Sequence, residues 1–396
     1  MKRWRGVIYR VLLPGVVAGL LVFLGGIITP RLVKLEHSLA DFRTLLLSDR
    51  AERTSADVAI VGIDENALEG LPYMSPVDRA YLADLIQRID RAEPRAIVVD
   101  LVFDRPTEPL KDQALASVLA RASSPIILSR PASGQALDPD FQNRFLSTAN
   151  RPTGDTVVTT TMDDVVRHLP VSKGGACSLS EATVKVLAEP AARRSPRCDR
   201  VAPLRIDWLL PPEGQQTFTY LSAGLVATGA EDGPVLRRLR GKIVVVGGVY
   251  TAIDRHKTPL STVDNNSIDG GSGGVNGPTT PGVAIHAQAI QQLLDGRRRY
   301  EFNHWGELLL FIVAGVAGAG LSRVSRFRRH PAPVLAFVGI GLIATDALMF
   351  KVFRVALPGD AAAVAAAFGF WFSSIAVSHR QGGWKSAGGT VGEAVL

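Results

Sequence analysis

The chain has 396 residues, 46% hydrophobic against 20% charged, and a formal net charge of +7. That leaves room for two average domains and excludes a disordered chain, which cannot be so apolar. Nucleic-acid binding is not the reading of the basic excess: Lys2, Arg3, Arg5, Arg10, Arg323, Arg326, Arg328 and Arg329 account for all of it, and all border apolar runs.

The apolar residues are unevenly spread. After a basic segment, 1–10, the stretch Val11–Ile28 carries no charge and matches the thickness of a bilayer core, predicting a membrane helix over 11–29. No small-residue cleavage site follows in "ITPRLVKLEHS", so it reads as an uncleaved signal anchor. Three further spans are predicted at 307–324, 331–350 and 355–378, with a short cytoplasmic tail at 379–396. Placing the two basic clusters inside gives four crossings of the inner (plasma) membrane, with the mixed-polarity region 30–303 outside, in the periplasm. The triplet Arg297–Arg299 argues mildly the other way.

Within 30–303, Asp57–Ile63 is a β-branched run ending at Asp64, and Val77–Ile89 places Leu82, Leu85, Ile86 and Ile89 at helical spacing. Ala96–Leu101 is a second buried strand, with Asp100 and Asp104 near its end. Strand, helix and strand with continuous apolar strands predict a parallel crossover unit. Leu110–Ala120 reads as a helix and Pro125–Leu128 as a strand. The middle, 131–216, carries two or three short strands and a small helix near Glu181–Leu187. Leu221–Thr228 and Val235–Leu239 read as helices, Ile243–Val246 as a last core strand, and Val283–Leu294 as a helix. A glycine-rich tract, 264–282, reads as a flexible loop. The fold class is therefore α/β: an extracytoplasmic mixed or parallel-sheet domain inserted between one N-terminal and three C-terminal membrane helices.

Two blocks carry a resemblance. "DVAIVGIDENAL…SPVDRAYLADLIQRIDRAEPRAIVVDLVFDRPTEPLKDQALA" (57–116) and "GKIVVVGGVYTAIDRHKTPLS…GVAIHAQAIQQLLDG" (241–296) resemble the hallmark blocks of the type-two CHASE domain, the cyclase/histidine-kinase-associated sensory extracellular domain. The resemblance covers about 35–300, and the three helices that follow are similar to that family's plan. It implies an extracytoplasmic sensor domain. Family members typically continue into a cyclase or kinase module, whereas only His379–Leu396 follows the last helix here, so the expected output lies in a separate protein.

The stretch Ile243–Gly248 lacks the third glycine of a dinucleotide fingerprint and the Lys-Ser/Thr of a phosphate loop, so its glycines read as a turn and no cofactor is expected. Asp254 and His256 share a face of an extended segment. Strand C-terminal ends line the ligand crevice in open parallel sheets, which makes Asp64, Asp100, Asp254 and His256 the candidate ligand-binding set. Their alternative role is capping helices and tying loops. Whether a metal takes part stays open. His286 reads as a helix-surface or packing histidine. Cys177 and Cys198 lie in a compartment that permits a disulfide, and spacing alone leaves them bridged or free.

Glu307, Asp346 and Asp360 all fall near the outer ends of predicted spans. They form either a charged collar, with Lys351, Arg354 and Arg297–Arg299 in reach, or a set of side chains snorkelling to an interface. Small residues at Gly15/Gly19, Gly315/Ala319 and Ala361–Ala367 predict close helix packing in a bundle or homodimer. The function these features favour is a membrane-bound sensory protein that binds a ligand outside and relays to a membrane or cytoplasmic partner. A scaffold that no longer senses, and an extracytoplasmic metal-dependent hydrolase, are the other readings. No catalytic residues are assigned.

Overall fold

The computed structural model describes residues 8–131, 135–170, 174–189, 196–200, 202–261 and 279–387. The chain forms two compact units, Met1–Leu47 with Tyr300–Leu396, and Ser48–Arg299. The first unit opens with helix α1 (Leu13–Ile28), preceded by a π-helical turn at Ile8–Leu12. Thr29 leaves helical geometry, and Pro30, suited to a first helical turn, starts α2 (Pro30–Leu47). The sheet unit thus begins at Ser48 rather than at residue 30, because α2 packs within the helical unit.

The sheet unit proceeds through β1 (Val58–Ile63), α3 (Arg79–Arg91), β2 (Ala96–Asp100), α4 (Pro109–Arg121), β3 (Ile126–Arg130), α5 (Pro139–Ala149) and β4 (Thr153–Asp155). Two short strands, β5 (Thr159–Thr160) and β6 (Val166–Leu169), lead to α6 (Leu179–Ala188) and β7 (Leu204–Arg205). Then come β8 (Thr219–Ser222), α7 (Ala223–Thr228), α8 (Pro234–Arg237), β9 (Ile243–Gly248), β10 (Arg255–His256), β11 (Thr280–Pro281) and α9 (Gly282–Leu294). Six strands pair in parallel in the order β4-β3-β2-β9-β1-β8.

The sheet is covered on both faces, which explains its unbroken apolar strands. Alternate residues point to opposite sides. Val61, Ile63, Val99, Leu128, Val244 and Val246 pack with Leu82, Leu85, Ile86 and Ile89 of α3 and Leu115 and Leu119 of α4. Val58, Ile60, Val98, Ile127, Ile243 and Val245 pack instead with Leu179, Ala182 and Val186 of α6 and Val283, Ala287 and Ile290 of α9. Helix α3 starts where Asp78 accepts from the Ala80 and Tyr81 amides. On the second face Cys177 and Cys198 are joined by a disulfide, with their Cα atoms 5.0 Å apart.

Two local expectations change. Leu221–Thr228 is not all helix: Thr219–Ser222 pairs with β1 as an edge strand, and Ser222 caps α7 by accepting from the Gly224 amide. Gly247 and Gly248 do not turn. They continue β9 with ordinary φ values, and β9 is the central strand, although last of the six in sequence. Gly247 is required by proximity, since a Cβ there would lie 3.0 Å from the Val283 side chain and 3.1 Å from that of Asp100. Of the expected flexible loop, 264–278 lies outside the described residues, whereas Thr280–Pro281 is β11 and Gly282 begins α9.

The helical unit resumes with β12 (Tyr300–Glu301), α10 (His304–Leu321), α11 (Ser325–Arg329), α12 (Pro331–Val352), β13 (Val355–Ala356) and α13 (Gly359–Ala387). Among the described residues, four segments are long and apolar enough to cross a membrane: Tyr9–Ile28, His304–Leu321, Pro331–Val352 and Gly359–Ala376. Helix α13 continues through the first half of the expected tail, and 388–396 lies outside the described residues. The small residues do permit backbone contact: a Cβ on Gly19 would stand 2.6 Å from the Ile312 nitrogen, and Gly318 and Gly369 meet the carbonyls of Ala366 and Gly315. At one end Ser322 Oγ donates to Ser373 Oγ (2.8 Å), which donates to the Arg10 carbonyl (2.9 Å). Arg323 donates to Ser373 Oγ at 2.9 Å, so Arg10 and Arg323 meet at that end of the bundle.

Candidate functional site

Asp100 ends β2, paired with Gly247 of β9, at the carboxyl edge of the parallel sheet. That edge, where strand order departs from chain order, is where open α/β sheets hold ligands. The side chain is buried, and its Oδ1 accepts from Thr156 Oγ1 at 2.7 Å and, more weakly, from Ser129 Oγ at 3.4 Å. His286, on the first turns of α9 and 1% exposed, brings Nε2 to 3.7 Å from the same oxygen and 3.3 Å from Thr156 Oγ1. Its Nδ1 lies 3.5 Å from Ser180 Oγ on α6. Five polar side chains from β2, β3, α6, α9 and the segment after β4 thus meet in an apolar setting.

One atom of this nest is unserved: among the described residues, Asp100 Oδ2 is buried without a hydrogen-bond partner. Burial raises the Asp100 carboxyl above the usual carboxylate range; nearby His286 opposes the rise, and Asp254 adds to it. A buried acceptor lacking a donor costs free energy, which a donor-bearing ligand would recover.

Asp254 and His256 flank this edge. Asp254 adopts φ 53°, accepts the Gly282 amide with its carbonyl at 3.0 Å, and sits 3.0 Å (Oδ1) from His256 Nε2. A Cβ on Gly282 would stand 2.5 Å from Asp254 Oδ2, so the carboxylate lies against the first residue of α9. Asp64 faces another task, accepting the Ala67 amide at 2.7 Å to cap the short helical turn Asn66–Leu68. Its neighbour Glu65 accepts from both the amide and hydroxyl of Thr251, each at 2.8 Å. Burial would raise the Glu65 carboxyl, but those donors hold it below its ordinary value. Tyr250, between them, has its hydroxyl pushed up to about 12 by burial and by Glu65, Asp254 and Asp64.

Of the four expected residues, Asp100 and Asp254 interact electrostatically, His256 joins through Asp254, and Asp64 serves as a cap. Thr156, Ser129, Ser180 and His286 were not in that set. The only sequence signal for His286 was a histidine one turn into a helix of small and apolar residues. Among the described residues, no three His, Cys, Asp or Glu side chains converge to hold a metal ion.

A CHASE2 domain profile matches residues 16–320. The chain belongs to the CHASE2 domain family. No curated protein and no solved structure gives a significant match. CHASE2 is a sensory rather than a catalytic domain, and the match includes both the sheet edge carrying Asp100 and His286 and the helices α1, α2 and α10.

In the helical unit of this CHASE2 protein, Asp346 is buried and paired with Arg43, a cation the sequence did not offer. Arg43 of α2 donates Nη1 to both carboxylate oxygens (2.6 and 2.5 Å) and to the Leu357 carbonyl (2.6 Å), and stacks 5.0 Å from the Phe350 ring. Glu307 lies 3.3 Å from His304 Nδ1, and Asp360 begins α13. Arg297 and Arg299 serve the sheet unit: Arg299 grips buried Asp207 at 2.5 and 2.8 Å, and Arg297 donates to its carbonyl at 2.7 Å.

Proposed function

We propose that this chain is a membrane-bound signal-input protein whose CHASE2 unit, on the extracytoplasmic side of the inner membrane, takes a small donor-bearing ligand at the Asp100–His286 nest. The observation that carries this reading is the partnerless Asp100 Oδ2 at the carboxyl edge of the sheet. A protonated amine or a hydroxyl donor satisfies that oxygen; an anion meets Asp100 and Asp254 unfavourably. Helix α9 contributes His286 and packs on β1 and β9, so a ligand that favours one placement of α9 shifts a conformational equilibrium. The relay then runs through the membrane helices to a separate membrane or cytoplasmic partner, with a homodimer as one form of the receiver. The shared position of Arg10 and Arg323 supports a topology with both basic clusters inside.

The test is a thermal-shift screen of the full chain in nanodiscs with ethanolamine, glycerol and Mg2+. The reading predicts that ethanolamine or glycerol raises the melting temperature and that Asp100→Asn abolishes the rise. Equal response of the wild type and Asp100→Asn to all three overturns it.

A further inference from the structure

Helix α2 carries an apolar stripe that is left exposed among the described residues. Leu32, Leu35, Leu39, Phe42 and Leu46 are 50%, 57%, 45%, 59% and 62% exposed, more than water-facing leucines of a folded unit ordinarily are as a group. At 3.6 residues per turn they fall within an arc of about 80°. Exposed Arg31, Lys34 and Ser38 form a polar edge on one side of the stripe. On the other side Arg43 turns inward to Asp346, and Thr44 is buried.

The level of this helix in the bundle identifies the occupant. Arg43 meets Asp346, six residues before the end of α12, and the Leu357 carbonyl just before α13. Lys351, next to last in α12, donates to the Leu47 carbonyl at 3.2 Å. Glu36 lies within electrostatic range of Asp360 and Glu307, in the opening turns of α13 and α10. Glu36 and Leu47 are about 16 Å apart along a helix, yet both meet residues near the same end of the spans. So α2 lies obliquely across that end instead of projecting beyond it. Leu20, Leu21, Leu24, Ile27 and Ile28 of α1, the helix just before it, are exposed as well.

We propose that α2 is an interfacial helix, with Leu32, Leu35, Leu39, Phe42 and Leu46 immersed in the lipid of the leaflet where α12 ends and α10 and α13 begin. Arg31 and Lys34 face its headgroups, the arrangement of a membrane-surface helix. The Arg43–Asp346 pair then fastens this helix to the bundle, and the water-exposed unit starts at Ser48. The inference rests on the four spans lying in a bilayer, which the experiment checks separately.

Single cysteines at Leu39, Phe42, Lys34 and, on α12, Ile340 are introduced into the full chain, whose own two cysteines are joined, and labelled with an environment-sensitive fluorophore. All four native side chains are exposed, so folding is retained. In phosphatidylcholine–phosphatidylglycerol nanodiscs, labels at Leu39 and Phe42 are expected to be quenched by doxyl lipid about threefold more than the Lys34 label, which an aqueous quencher reaches instead. Aqueous quenching at Leu39 and Phe42 with lipid quenching at Ile340 overturns the inference alone. Aqueous quenching at Ile340 overturns the membrane reading beneath it. Ready disulfide cross-linking of Leu39→Cys between two chains, with protection from both quenchers, replaces lipid by a second copy and also overturns it.

Discussion

The two compact units bury their surfaces by opposite means. In Ser48–Arg299, large β-branched and aliphatic side chains fill both faces of a parallel sheet. In the helical unit small residues such as Ala314, Ala362, Ala365 and Ala366 pack with a few buried phenylalanines, Phe311, Phe350 and Phe370, and other large side chains, such as Phe337, Ile340 and Trp371, are exposed. One chain thus obeys two solvents: water rewards burying leucine, whereas lipid makes backbone approach and polar hydrogen bonds the available adhesives. Among the described residues of the sheet unit, Asp100 Oδ2 is a buried carboxylate oxygen left without a donor.

The strongest way to break the comparison is through the sheet unit's buried ion cluster. Asp207→Ala leaves Arg299 buried without that carboxylate, while Arg297 keeps Asp295, and should cost about 3–5 kcal/mol, read as a lowered denaturant midpoint of the full chain. Removing the disulfide with Cys177→Ser and Cys198→Ser should cost about 3 kcal/mol by releasing a short loop in the unfolded chain, measured the same way without reductant.

In the helical unit, Gly315→Leu drives a side chain into the Gly15 backbone and should lower thermal stability in detergent by about 1–3 kcal/mol, as overpacking does. Gly320→Leu meets open space and should change little. Equal effects at the two glycines would contradict close backbone packing.

The smallest expected effect concerns Asp100. Its raised carboxyl means the folded state holds a proton that the unfolded state has released. Stability therefore falls as pH climbs from the unfolded value, about 4, through the higher folded value. Asp100→Asn should remove this fall and raise the melting temperature at neutral pH by a few degrees (about 2–4 °C per kcal/mol). A melting curve across pH 4–8 in both proteins checks the sign.

Much of the sheet was legible, because β1, β2 and β9 are unbroken apolar runs and α3 shows helical spacing. Strands β4 and β8 were not, since Thr153–Asp155 and Thr219–Ser222 are short and polar enough that only pairing with β3 and β1 makes them strands. The central place of β9 is a fact of topology, to which strand composition is blind. At the site, the strand-end rule reached Asp100 and Asp254, but Thr156 and Ser180 arrive from elements whose register only the tertiary fold sets. Arg43 was missed as the partner of Asp346 because 303 residues separate them in sequence.

The most direct test of the central claim is an ethanolamine titration of the full chain in nanodiscs, comparing wild type, Asp100→Asn and Asp64→Asn. If the nest is the sensing site, wild type and Asp64→Asn bind alike, Asp64 serving only as a cap, and Asp100→Asn loses binding. Binding that survives Asp100→Asn but disappears with Asp64→Asn would contradict the account and move the site away from β2.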